Sequence, residues 1–429
     1  MNEGGSAQGS GRLTAIQGTA LYVSAVLGTG VITLPALAAG IAGPASLLAW
    51  LLLAILSAPL ATTFAALGAR YGDAGGVSTY VRRAFGARPA AVVGWCFYLA
   101  VPPGTAAAAI FCGYYVESAA GGGGTTVLLT AVLLVVIATV TNVVGLKLVG
   151  PVQLLLSGLL CALLVLAIVL SLPHATTTNL QPFAPHGWLA IGPAAAALVW
   201  SFVGWEAITH LSGEFRNPGR DVQRATWAAI TVVGSLYLLL AFAVVAVLGP
   251  AASHSDAPLG ELMALSLGDQ ARPFAAGAAV LLTLGSITAY IAGAANLGSA
   301  LGAHGALPSW LARGNAAGQV PRRSLGVVTA LTFLALLVVA ATDIGTRPLL
   351  LLTNSSLVMV YVLGTAAAVR LLPRRTSGHR AAMLSLVAVV LLLIVSGRYL
   401  FWPIGVASAA LMYLRFQQVR KPVAVPREH

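Results

Sequence analysis

Two groups of residues in this chain have types and spacings that could do chemistry. The first is Trp200-Ser-Phe-Val-Gly-Trp-Glu-Ala-Ile-Thr-His210, which sits in an otherwise apolar stretch. Glu206 and His210 are four residues apart, so an intact helix puts them on one face. A carboxylate in hydrocarbon is costly unless it faces polar surroundings or takes up a proton. An imidazole changes charge near neutral pH. The pair is therefore suited to taking up and releasing protons inside a membrane. The second group is Leu27-Gly-Thr-Gly30, which interrupts the apolar run Leu13–Ala42. Gly28 and Gly30 permit non-helical backbone, and unpaired amides inside a membrane are tolerated only where protein or a water-filled cavity satisfies them. Unwinding at Gly28–Gly30 would expose amides able to receive an anionic group such as a carboxylate. Close helix packing by small residues is the competing reading of the same glycines.

The elements that must position these groups are membrane spans. Of the 429 residues 58% are hydrophobic and only 8% charged, with mean hydropathy +0.91. Such a composition excludes an ordinary soluble globule and predicts a polytopic all-α membrane protein. The first apolar run is too long for a cleavable signal sequence and follows a polar Met1–Gly11. Cys96, Cys112 and Cys161 all fall in apolar runs, which gives neither a disulfide framework nor a metal-ligand spacing. The net charge of +12 is placed asymmetrically. With the amino terminus in the cytoplasm, 20 of the 23 Lys and Arg residues fall inside, leaving Arg272, Arg347 and Arg398 at the outer ends. That positive-inside pattern orients the chain and makes anionic lipid, not nucleic acid, its electrostatic neighbour.

The apolar runs predict twelve transmembrane helices with both termini cytoplasmic: about 15–42, 44–68, 91–117, 126–144, 152–172, 191–211, 225–248, 273–301, 325–341, 347–369, 381–396 and 399–414. Pro102 and Pro103 are expected to kink the third. The loop 69–89 keeps aromatic and small residues amid its arginines and is expected to pack against the bundle. An external helix is expected around 259–267. Spans one to five and six to ten start on opposite sides, and each set begins with a helix carrying glycine and polar residues at mid-depth. That is the pattern of a 5+5 inverted-repeat core with discontinuous helices 1 and 6. The chain thus divides into a cytoplasmic segment 1–14, a first five-helix repeat 15–172, a second repeat 191–370, two additional helices in 381–414, and a cytoplasmic tail 415–429. The last two helices stand outside the repeat and are assigned to packing, lipid contact or assembly of a homodimer.

Gly28-Thr-Gly-Val31, Ala74-Gly-Gly-Val77 with Arg83-Ala-Phe-Gly86, Phe202-Val-Gly-Trp-Glu206, Glu214-Phe-Arg-Asn-Pro218, and Gly305-Ala-Leu-Pro308 with Pro321 occur in this order. In order and spacing they resemble the amino acid–polyamine–organocation (APC) superfamily of transporters, and in particular the bacterial exporters of methionine and branched-chain amino acids. The resemblance implies a substrate carboxylate held by the unwound first helix, here by amides of Thr29, Gly30 and Val31 beside Gly28. It also implies an α-amino group received by carbonyls near Val26 and around Trp200–Val203. Trp200 and Phe202 match positions where relatives place aromatic groups beside the substrate or its path. Ile287 stands where some basic-substrate exchangers have an aromatic residue, which weighs against a cationic substrate. Glu206 resembles a family carboxylate tied to proton sensitivity or to movement of the sixth helix, and His210 could assist it. The lysine that some proton-coupled relatives carry in the fifth helix is replaced by Leu160 or a neighbouring apolar residue.

These features imply a secondary transporter of neutral, hydrophobic amino acids in a bacterial cytoplasmic (inner) membrane. It would work by alternating access, with efflux by proton antiport as one form. An exchanger or uptake permease for another substrate, such as a cationic amino acid, and a nontransporting amino-acid sensor are the alternatives. No His/Glu metal array and no serine, cysteine or aspartyl nucleophile constellation surrounds Glu206, so no cofactor, metal or enzymatic activity is expected.

Overall fold

In the computed structural model the chain is described over residues 14–28, 30–71, 76–145, 150–207, 215, 218–313, 321–342 and 344–420. Helix α1 (Ala15–Val26) starts where Thr14 caps it. Thr14 Oγ1 accepts from Gln17 N, and Gln17 Oε1 accepts from Thr14 N, so two end amides are satisfied reciprocally. It stops at Leu27, and α2 (Gly30–Ala42) resumes beyond the glycines. A tight turn at Gly43–Ala45 leads into α3 (Ser46–Arg70). The short α4 (Gly76–Phe85) buries Val77, Tyr80, Val81 and Ala84, the spacing of one helical stripe, and exposes Arg82 and Arg83. It packs against α5 and α13, as the aromatic and small residues of that loop require.

Helix α5 (Ala87–Ala120) runs through Pro102 and Pro103 without a break and is buried along most of its length. It is followed by α6 (Gly123–Val144) and α7 (Gly150–Ser171). Short 3₁₀ turns occupy Leu172–Ala190 and lead to α8 (Ile191–Leu198). After α9 (Pro218–Ala243) the chain passes through one π turn and one 3₁₀ turn to α10 (Pro258–Leu267), the expected external helix. The remaining helices are α11 (Arg272–Ala303), α12 (Arg322–Thr342), α13 (Arg347–Leu371), α14 (Ser377–Val395) and α15 (Phe401–Arg420).

Among the described residues nine helical stretches are long and apolar enough to cross a membrane. One of them, Gly30–Arg70, holds α2 and α3 in tandem. The number is smaller than the twelve runs expected from hydropathy because α2 and α3 count as one stretch and because the fifth and sixth runs occur only as the shorter apolar helices Gly158–His174 and Trp188–Phe202. The protein is an all-α multi-pass membrane protein whose first helix is discontinuous.

Helix α5 is the central post, packed against α11, α13 and α6. Side-chain bonds to backbone carbonyls tie the helices together within the apolar interior. Asn142 Nδ2 donates to Thr288 O at 3.1 Å, Thr353 Oγ1 to Ala100 O at 3.2 Å, and Trp95 Nε1 to Ala306 O at 2.7 Å. Bonds of this kind contribute about 0.6–2 kcal/mol each in membrane bundles, where dispersion rather than hydrophobic burial holds helices together. Cys96, Cys112 and Cys161 are free thiols.

At one end of the bundle, Tyr115 on α5 donates to Ile32 O of α2 and accepts from Leu259 N of α10. Near it, Asp256 carries a raised pKa, caused first by partial burial and then by the carboxylates of Glu117 and Glu261. A carboxyl whose folded pKa is raised stabilises the fold at pH below its unfolded pKa, and that contribution is lost as pH rises through the folded value. Asp256→Asn is therefore expected to raise the thermal unfolding midpoint at neutral pH, with the gain shrinking as the medium is acidified. Equal midpoints for the two proteins at neutral pH would refute this.

Candidate functional site

The break in the first helix is local. Leu27 leaves helical geometry at φ −70°, ψ 81°, while its amide still donates to Val23 O at 2.8 Å. Gly28 N turns back to Val26 O at 2.8 Å, and Val31 N reaches Gly28 O at 3.4 Å. A Cβ placed on Gly28 would meet no heavy atom of the described residues within 4 Å. Helix α2 begins at Gly30, and its N-terminal amides and positive dipole end face the break.

A second break lies opposite. Helix α8 gives way to a 3₁₀ turn at Val199–Phe202, Val203 is extended, Gly204 has φ +120°, and another turn forms at Trp205–Ala207. Carbonyls released by such a break must find donors. Asn354 on α13 supplies them, its Nδ2 donating to Ala196 O and Ala197 O at 2.9 Å each. Val203 N returns to Trp200 O at 3.4 Å.

Trp200 joins the two breaks. A Cβ on Gly30 would lie 2.6 Å from Trp200 Cδ1 and 3.1 Å from Ser201 Oγ. The far edge of the indole meets Gly104 of α5, where a Cβ would lie 2.5 Å from two ring carbons. Only glycine at both positions lets the ring occupy this slot. Tyr290 of α11 packs on the same indole with centroids 6.1 Å apart. Other rings extend the wall. Phe202 meets Tyr237 edge-on at 5.3 Å and Trp50 at 5.8 Å, and Tyr22 meets Trp205 at 5.7 Å. Ser201 Oγ, beside Trp200, and Thr33 Oγ1 of α2 are buried with no hydrogen-bond partner among the described residues.

Glu206 is held at the second break. Tyr361 of α13 donates its hydroxyl to Glu206 Oε2 at 2.6 Å, and Gly204 N donates to the same oxygen at 3.1 Å. The carboxylate is also within electrostatic reach of Tyr22 and Tyr290. Tyr22 of α1, Tyr290 of α11 and Tyr361 of α13 therefore lie around one carboxyl group, which sits on a short 3₁₀ turn.

Of the residues expected at the site, Gly28, Gly30, Val31, Trp200, Phe202 and Val203 belong to the two facing breaks. Val26 ends α1, and its carbonyl already accepts from Tyr237 Oη at 2.9 Å and from Gly28 N. Both lone pairs are engaged in this conformation. Ile287 is fully buried on α11, one turn before Tyr290. Thr29 and His210 lie outside the described residues. Tyr237, Tyr290, Asn354 and Tyr361 were not among the expected residues. The polar run Thr353-Asn-Ser-Ser356 in α13 was the available signal for Asn354.

Among the described residues, two facing broken helices meet at an aromatic wall beside one carboxyl group, that of Glu206. Comparison with known proteins decides the family, since the amino acid permease family matches residues 13–417. The chain belongs to this family. The permease is 33% identical to an uncharacterized amino acid permease, YecA, of Bacillus subtilis (strain 168), covering 94% of the chain and 95% of that relative. It is 31% identical to the L-methionine/branched-chain amino acid exporter YjeH of Escherichia coli (strain K12), covering 92% and 94%. The permease is a secondary-active amino-acid transporter of the APC superfamily and not an enzyme.

Proposed function

We propose that the permease carries neutral, hydrophobic amino acids across a bacterial cytoplasmic membrane by alternating access, exporting them in exchange for protons. The observation that carries this reading is the meeting of the Gly28–Gly30 and Val199–Gly204 breaks around Trp200. Amides at the start of α2 would hold the substrate carboxylate. Carbonyls around Trp200–Val203 would receive the amine. The rings of Trp200, Phe202 and Tyr290 would face an apolar side chain. YjeH, which aligns with the permease over most of both chains, is an exporter of methionine and branched-chain amino acids. That likeness supports both the substrate class and the outward direction.

Glu206 is the coupling group in this proposal. Protonation would weaken its grip on Tyr361 and Gly204 N, and so free the second break to move relative to α13. The motion would be a rocking of one five-helix repeat against the other within a 5+5 inverted-repeat core, with twelve crossings in all and both termini inside. The excess of Lys and Arg in the loops assigned to the inside supports that orientation.

The test is counterflow of radiolabelled leucine and methionine in proteoliposomes, with alanine, arginine and glutamate as internal competitors and an imposed pH gradient. Leucine and methionine are expected to exchange and arginine to compete poorly. An inward-acid gradient is expected to change the rate beyond an ion-clamped control. Exchange driven best by arginine would overturn the substrate class. Binding without any exchange would make the protein a sensor.

A further inference from the structure

We propose that the end of the bundle formed by α3, α4, α13 and the start of α14 is a binding site for the headgroup of an anionic phospholipid. Residues 66–90 and 366–385 hold eight arginines against one acidic residue, Asp73. Contacts on the page bring these segments together. Tyr71, next to Arg70, donates its hydroxyl to Leu371 O, next to Arg370, at 3.2 Å. A Cβ on Gly378 at the start of α14 would lie 2.8 Å from Ala66 Cβ on α3, so α14 enters the bundle pressed against the end of α3. Arg70 and Arg83 both lie over the Tyr71 ring, at 5.8 and 5.2 Å from its centroid. Arg370 lies over Phe85 at 5.5 Å. Aromatic stacking of this kind fixes the planes of guanidinium groups and so organises their donors.

The turn between α13 and α14 adds an independent observation. Arg375 has φ +71°, where a side chain other than glycine or asparagine is strained. The strain persists in a turn fixed by Thr376, which donates its hydroxyl to Pro373 O at 2.8 Å and caps α14 by accepting from His379 N at 3.2 Å. Keeping an arginine where glycine would relieve the backbone indicates that its side chain is used.

The occupant is a lipid and not a soluble anion because α3, α13 and α14 are apolar helices that reach into the bilayer from this end. Their ends therefore stand at headgroup depth. Phe85, 38% exposed beneath Arg370, offers an apolar contact to the glycerol and upper acyl region. Guanidinium groups bind phosphate oxygens in a forked geometry, and basic residues at a membrane boundary attract anionic lipid.

The experiment is native mass spectrometry of the full-length protein in detergent, titrated with phosphatidylglycerol, with phosphatidylcholine, and with inorganic phosphate. Phosphatidylglycerol is expected to bind at least tenfold tighter than phosphatidylcholine, and inorganic phosphate is not expected to compete at comparable concentration. Arg375→Gly suits the observed φ and keeps the fold, yet should weaken phosphatidylglycerol by about fivefold. Combining it with Arg370→Gln and Arg374→Gln should weaken binding on the order of a hundredfold. Lipid-free thermal unfolding of each variant checks that the fold is intact. Should the triple variant fail to fold, Arg375→Gly alone decides. Unchanged phosphatidylglycerol affinity in Arg375→Gly, equal binding of phosphatidylcholine, or competition by inorganic phosphate would each overturn the proposal.

Discussion

Glu206→Gln is expected to flatten the pH dependence of amino-acid flux while leaving the amount of protein in the membrane unchanged. Glutamine has the shape of glutamic acid, and its amide oxygen still accepts from the Tyr361 hydroxyl and from Gly204 N, which now converge on Glu206 Oε2 at 2.6 and 3.1 Å. What disappears is the charge and the exchangeable proton. A hydrogen bond to a charged acceptor contributes about 1.5–3 kcal/mol and a neutral one about 0.5–1.5 kcal/mol, so the local loss is about 1–1.5 kcal/mol for each of the two bonds. That is too little to unfold the bundle and enough to shift which conformation is favoured. Initial rates of leucine counterflow, measured from mildly acidic to mildly alkaline pH, provide the readout. Tyr361→Phe makes the companion measurement. It removes one donor and leaves the titrating group, so its rates should fall while their pH dependence persists. A pH–flux curve in Glu206→Gln that superimposes on that of the unaltered protein would remove Glu206 from the coupling mechanism.

Gly30→Leu is expected to reduce substrate binding by roughly ten- to a hundredfold, and Gly30→Ala to reduce it measurably. Even a methyl group at Gly30 would lie 2.6 Å from Trp200 Cδ1, 3.0 Å from Leu34 Cδ1 and 3.1 Å from Ser201 Oγ. Trp200 has nowhere to retreat, because its opposite edge is already against Gly104. Inserting bulk into a closed contact costs about 1–3 kcal/mol, which spans that range of affinity. Gly28→Ala separates packing from ligand approach. Its Cβ would touch no atom of the described residues within 4 Å, so the fold should be indifferent to it. If the substrate carboxylate approaches the backbone at this point, Gly28→Ala will weaken binding without lowering the unfolding temperature. Leucine and methionine titrations by scintillation proximity, paired with thermal unfolding, measure both effects. Full affinity in both Gly30→Leu and Gly28→Ala would move the substrate away from the first break.

Much of this molecule was legible in its sequence because a bilayer leaves a chain few choices. Backbone amides in hydrocarbon must bond within their own helix, so unbroken apolar runs became helices near their expected bounds, as in α11 and α13. The same rule made Gly28–Gly30 conspicuous, since a glycine pair at mid-depth is a plausible place for α1 to stop and α2 to begin. The isolated charge of Glu206 stood out because ionisable groups are rare in spans.

Which groups meet those features was decided by the tertiary structure. Tyr361 lies 155 residues beyond Glu206, and Asn354 158 residues beyond Ala196, so no local pattern pairs them. Tyrosine in an apolar helix reads as packing until its hydroxyl is seen to have a partner. The seat of Trp200 required two glycines from different helices to come within contact of one ring, a coincidence of three-dimensional packing without any trace in spacing. The sequence by itself determined where most of the chain is helical, where the first helix breaks and which carboxyl group lies within an apolar run. The tertiary structure alone decided which aromatic and amide groups close around those points, because helix interfaces depend on side-chain shape across long sequence separations, whereas helix formation depends on neighbours.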